Sequence, residues 1–159
     1  MPDNPRAPRF FTLGEAERIL PQVEETLREL MRLSAEGERE QAELRHWLQR
    51  IAMSGGAVVD HSGILSRKER LRAIAEGLQE GTSALESYGC LLKDVRTGLI
   101  DFPTLLRGKE VYLCWKLGEE SIRFWHGVSE GFAGRKKIDS DFIRHHAGAP
   151  SGPPEGQVQ

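Results

Sequence analysis

Cys114, Glu119, Glu120 and His126 are metal-capable side chains that fall within thirteen residues. Thiolate, imidazole and carboxylate are the donors of zinc-type sites, and a thiol beside an imidazole can also start a nucleophilic dyad. The spacing matches no ordinary zinc knuckle, so whether these groups meet depends on strand register. Lys109–Leu117 reads as the best strand in the chain, Gly118-Glu119 as a turn, and Glu120–His126 as the returning strand. A two- or four-residue loop pairs Tyr112 with Trp125 and Cys114 with Arg123. One face then holds Val111, Leu113, Trp115, Leu117, Ile122, Phe124 and His126, and the other holds Tyr112, Cys114, Lys116, Ser121, Arg123 and Trp125. A one-residue slip turns every side chain over, so the cleaner apolar separation selects this register. It puts Cys114 and His126 on opposite faces, which argues against a shared ion and against a dyad.

Other candidates are weighed in the same way. Asp94 and Asp101 flank the turn Arg96-Thr97-Gly98. Such a pair can bind a cation or act as acid and base, but the ordinary work of Asp in a turn is to accept backbone N–H groups. Cys114, His126, Asp94 and Asp101 are thus the weak metal candidates, and neither a metal nor another cofactor is expected. Gly131–Lys137 sets glycines beside three cations; backbone amides and Arg135 there could hold phosphate or carboxylate, although the spacing is not that of a P-loop. The mixed face of the hairpin is the strongest candidate. Tyr112, Lys116, Arg123 and Trp125 are of the types found at protein–protein hot spots, and they also suit an anionic or aromatic ligand. Asp60, His61, His145 and His146 receive no role.

These side chains must be positioned by a scaffold, and its first half reads as helical. Thr12 and Glu15 form a capping box. Leu13, Ala16, Leu20, Val23, Leu27 and Leu30 then keep one helical stripe, which turns polar through Ser34, Gly37 and Gln41 and returns in register at Leu44, Leu48 and Ile51. The return predicts one helix over about 13–52, with a bend or break around 34–38 as the alternative, because Gly costs about 1 kcal/mol in a helix. Ser54-Gly55-Gly56 ends it. Ile64, Leu71, Leu78 and Leu85 recur every seven residues and predict a second helix over about 63–88. Two such helices form an antiparallel hairpin. From Gly89 onward the chain reads as short strands, with Pro103 limiting ladder pairing. The expected fold is α+β: a helical hairpin (12–88) on a small antiparallel sheet of about three strands (89–137). One domain spans 10–143, with disordered tails at 1–9 and 144–159.

Composition narrows the function classes. The chain has 159 residues, enough for one domain with a real core, and a formal charge of −2, which argues against a nucleic-acid-binding polycation. No apolar run approaches the roughly 20 residues of a membrane span. Two cysteines are too few for a disulfide framework, and no signal peptide is visible, so the cytoplasm is the expected compartment.

The words Glu110-Val111-Tyr112-Leu113-Cys114-Trp115-Lys116-Leu117-Gly118-Glu119, Phe124-Trp125-His126 and Gly131-Phe132-Ala133-Gly134-Arg135 resemble a small bacterial family, the domain of unknown function 2203. Phe11–Ala16, Lys93-Asp94 and Gly98–Pro103 also resemble its pattern, over about residues 10–137, while the Gly55–His61 connection departs from it. The resemblance implies an ordered cytoplasmic α+β domain and no particular chemistry. The residues themselves show no recognisable catalytic constellation. The expected function is a non-enzymatic interaction module that self-associates as a homodimer through the helical hairpin, the aromatic face of the sheet, or both, with another protein as a further partner and neither nucleic acid nor membrane. The alternative is a binding protein or enzyme for a small anionic ligand, with Lys116, Arg123 and Arg135 as anion contacts and His126 as proton donor or acceptor.

Overall fold

The computed structural model describes residues 9–55 and 61–148. Helix α1 (Leu13–Met53) is one continuous helix, and α2 (His61–Tyr88) returns against it. The Thr12 hydroxyl oxygen accepts the Glu15 N–H at 3.1 Å, and Glu15 Oε1 lies 3.1 Å from that hydroxyl. Ala16, Leu20, Val23, Leu27 and Leu30 are buried, as their spacing requires. The helix runs unbroken through Gly37, where close approach to α2 uses the glycine: a Cβ there would lie 3.3 Å from Ile74 Cγ2. Gly77 and Gly81 repeat the device against Leu33 and Leu30, at 2.9 and 2.5 Å. The two helices thus approach through glycines on both sides of the seam.

The outer part of the hairpin is a free arm. Among the described residues, α1 has no buried residue after Gly37, and α2 has none before Ile74. Half-buried Leu44, Trp47, Ile51, Ile64 and Leu71 lie along this stretch. Ion pairs join the helices there, from Arg67 to Glu43 (2.6 Å) and from Arg70 to Glu40 (2.9 Å).

The sheet has six strands rather than about three. They are β1 (Leu91–Asp94), β2 (Leu99–Leu106), β3 (Lys109–Lys116), β4 (Phe124–Gly127), β5 (Lys136–Lys137) and β6 (His146–Ala147). All pairings are antiparallel in the order β1-β2-β3-β4-β5, and β6 pairs with β2. Two of the additional strands, β5 and β6, are only two residues long, too short for an alternation signal. Pro103 does not interrupt β2. Its carbonyl points away from β3 and accepts the Phe11 N–H at 2.7 Å, so the missing proline donor falls on a side where β3 needs none. Ile100, Phe102, Val111, Leu113 and Trp115 join the α1 stripe in the core. The chain beyond residue 143 is also built into the domain: α3 (Ser140–His145) leads into β6, so the tail expected from 144 begins no earlier than 149. Asp60 and the side chain of His61 lie outside the described residues. No described helix is long and apolar enough to cross a membrane.

The glycine seam yields a paired test. Gly81→Ala places a methyl against the buried Leu30 and should lower stability by about 1–3 kcal/mol despite the better helix propensity of alanine. Gly14→Ala meets nothing within 4 Å and should be neutral or stabilising. Urea denaturation of both variants checks the sign.

Candidate metal centre on the outer face of the sheet

The β3–β4 register differs from the sequence expectation by one residue. The connecting loop runs from Leu117 to Arg123, an odd number of residues, and pairs Tyr112 with His126, Leu113 with Trp125 and Cys114 with Phe124. Glu119 holds it at that length. Its Oε1 accepts the Lys116 N–H at 2.6 Å, and its carbonyl accepts the indole N–H of Trp115 at 3.0 Å. Ile122 turns inward and donates its N–H to Glu17. The slip reverses every assignment on β4. Trp125 leaves the outer face and packs against Phe142, with ring centroids 5.2 Å apart, while Phe124 and His126 join Tyr112 and Cys114.

Register on the other side of β3 supplies the third group. Asp101 of β2 pairs with Cys114, so Asp101, Cys114 and His126 share one face. Their candidate donor atoms all lie within 4.8 Å of one another. Asp101 and His126 are 1% and 2% exposed, and Cys114 is fully buried. The separation of Cys114 from His126 expected from the sequence is therefore overturned.

The hydrogen bonds orient the imidazole in this cluster. His126 Nδ1 lies 2.8 Å from the Gly127 carbonyl, which can only accept, so Nδ1 carries hydrogen. Nε2 lies 3.1 Å from Asp101 Oδ1 and 3.0 Å from Oδ2. Only the contact to Oδ1 is oriented as a hydrogen bond; buried Oδ2 has no hydrogen-bond partner. The Nε2–Oδ1 contact needs one hydrogen on its line, carried by the ring or by the carboxyl. The Cys114 thiol is pushed up to about 12, first by burial and then by the charge of Asp101, with Arg135 opposing. It is therefore a neutral thiol and no nucleophile. Tyr112 closes the cluster with its ring edge-on to His126 at 5.6 Å, and Lys93 Nζ lies 4.9 Å from the Tyr112 ring.

The remaining candidates have structural work. Arg135 donates to Glu119 Oε1 (2.6 Å) and to the Cys114 carbonyl (3.1 Å), and its guanidinium is stacked between Phe124 and Phe132. It braces the β3–β4 loop rather than presenting itself to an anion. Arg123 is exposed, bonded to Ser121 and 3.6 Å from Glu120. Lys116 stays on the outer face beside Phe132. Asp94 accepts the N–H groups of Arg96 and Thr97, and the first of these holds its carboxyl below the usual range. That is the turn role expected of it. His145 lies 3.1 Å from Asp141, and His146 Nε2 accepts the N–H of Leu13 at 3.0 Å.

The family described as an uncharacterized conserved protein, DUF2203, matches residues 9–138. The chain belongs to this family. The DUF2203 match runs from the residues before α1 to just beyond β5 and includes Asp101, Cys114 and His126; α3 and β6 lie outside it. Among curated proteins and among solved structures nothing matches the chain.

Two measurements test this geometry. His126→Leu leaves the Asp101 carboxylate buried without its cation and should cost about 3–5 kcal/mol in urea denaturation, and adding Asp101→Leu should recover most of the loss. Cys90 is also pushed up to about 12 by burial, so neither thiol of the folded protein should react with an aromatic disulfide reagent near neutral pH, and both should react once it is denatured.

Proposed function

We propose that this protein binds a divalent ion of zinc type through Asp101, Cys114 and His126. The observation that carries the proposal is the convergence of the three buried donors, with an Asp101 oxygen left without a hydrogen-bond partner. The hydrogen bond from His126 Nδ1 to the Gly127 carbonyl is the support that metal-ligating histidines use to aim Nε2. Thiolate with imidazole favours zinc among the common divalent ions and admits cobalt as a probe. Three protein donors leave one position of a tetrahedron open, which is the composition of catalytic rather than purely structural zinc sites. Binding replaces two protons: the one between Asp101 and His126, and the one on the Cys114 sulfur.

The expected self-associating aromatic face has little support, because Tyr112 and Cys114 are buried and Trp125 belongs to the core. The small anionic ligand remains as a second reading, attached to the metal. Lys93 lies over Tyr112, which closes the cluster, and Lys116 shares the outer face of β3 with Cys114.

Untagged full-length protein, stripped by chelator and titrated with cobalt(II), tests the proposal. The expected result is one ion per chain, a thiolate-to-cobalt absorption band and the visible spectrum of tetrahedral cobalt. Zinc should compete, and at about 100 times its Kd should stabilise the fold by about 2.7 kcal/mol. Cys114→Ser should remove the thiolate band, and His126→Ala should weaken binding by at least about tenfold. Absence of binding by the wild type, or binding unchanged in both variants, overturns the site.

A further inference from the structure

Charge is segregated along the helical hairpin. Over residues 13–43 of α1 and 73–88 of α2, twelve glutamates stand against four arginines. Over the rest of the two helices, 44–53 and 61–72, six arginines and lysines stand against Glu69 alone. The overall charge of −2 conceals this division. Glu40 and Glu43 reach across to Arg67 and Arg70, and Glu69 pairs with Arg72 at the surface. Arg45, Arg50 and Lys68 are exposed, and no further glutamate of these stretches offsets them. The same end of the arm exposes Leu48, Met53 and Leu65, at 45, 89 and 66%. These are half of the six large apolar side chains that are exposed among the described residues. By helical rise, all three and the three cations lie within about 12 Å of the end of α1 or the start of α2.

We infer that the end of the arm docks end-on against an anionic lipid surface, with Leu48, Met53 and Leu65 entering the headgroup layer and Arg45, Arg50 and Lys68 pairing with lipid phosphates. Exposed cations beside exposed aliphatic side chains are the combination by which peripheral helices hold to anionic membranes. Arg45 and Arg50 are five residues apart, about 140° around α1, and so are Leu48 and Met53. A groove on a protein partner would meet one side of the hairpin, whereas a plane approached end-on meets them all. Nucleic-acid phosphates would engage the cations but give no return for burying aliphatic groups. Trp47 is half-buried with the Arg67 guanidinium 5.5 Å from its ring centre, so it is no open platform for a base. The acidic remainder of the hairpin is repelled by the same lipid surface, which sets the end-on orientation. The contact is peripheral, since no described helix is long and apolar enough to cross a membrane.

Flotation of untagged full-length protein with lipid vesicles tests the inference. Vesicles of equal parts phosphatidylcholine and phosphatidylglycerol should carry the protein, vesicles of phosphatidylcholine alone should not, and added salt should weaken the binding. Arg45→Glu with Lys68→Glu should lower the partition by at least about tenfold. Leu48→Ser, Met53→Ser and Leu65→Ser together leave the charge unchanged and should also lower it by at least about tenfold. All five side chains are exposed, so both variants should keep the helical circular dichroism of the wild type. Absence of wild-type binding to the anionic vesicles overturns the inference, as does equal binding to the neutral ones or unchanged binding by either variant. A single-stranded oligonucleotide that the wild type binds more tightly than the vesicles, with loss in the charge variant alone, overturns it in favour of nucleic acid. Cobalt binding should be unchanged in both variants, which keeps this surface separate from the metal site.

Discussion

The carboxylate of Glu119 sets the register on which the outer face depends. It takes the Lys116 N–H at the end of β3 and the guanidinium of Arg135, the residue before β5, while its own carbonyl receives the Trp115 indole. A loop held in this way has an odd number of residues, and β4 therefore presents Phe124 and His126 outward and Trp125 inward. Had the loop been one residue shorter, Trp125 would be exposed, His126 would face the helices, and Asp101 would be a buried carboxylate with no counter-charge. Arg135 joins the same arrangement through its stacking on Phe124 and its bond to the Cys114 carbonyl, so loop and site are held by one guanidinium.

The cluster itself is costly without a cation. Burying a carboxylate is unfavourable by several kcal/mol unless charge and hydrogen bonds compensate it, and Asp101 has one imidazole as its only charged neighbour within 4.0 Å among the described residues. A shared hydrogen answers this in part, and the Cys114 thiol hydrogen-bonds the same carboxylate. A divalent ion answers it more completely and also accommodates the sulfur of Cys114, which without metal is held as an inert thiol by its surroundings. On the proposed function, metal binding at this site exchanges the ion for those protons. Lys93, Lys116 and Arg135 lie around it, while the helices pack on the opposite face of the sheet.

The helical half was legible because its signals are long. The stripe from Leu13 to Leu30 fixes α1 over several turns, and its return at Leu44 predicts continuity through Gly37. The reason for that glycine was hidden, since only the facing Ile74 explains it. The sheet was legible as strands and misread as register. The segments around Asp101, Cys114 and His126 were all recognised as extended, and each of these residues was singled out. Local alternation, however, cannot count loop residues held by a distant Arg135, and an error of one residue divides a site that three strands assemble. Pro103 misled for a related reason: which side of a strand needs donors is decided by its neighbours. The two-residue strands β5 and β6 carry no pattern of their own.

The bond from Leu13 to His146 ties the beginning of the first helix to nearly the last described residue. Phe11, held by the Pro103 carbonyl, adds a second long-range tie at the same end. During synthesis α1 leaves the ribosome before the sheet, and the ring that accepts its first amide is made more than a hundred residues later. Thr12 can cap the nascent helix at once, but the seat of that helix is completed only when α3 and β6 arrive. The order of translation and the order of closure are therefore opposed at this corner, and a nascent chain halted at the end of the family-matched region would carry an open seam there.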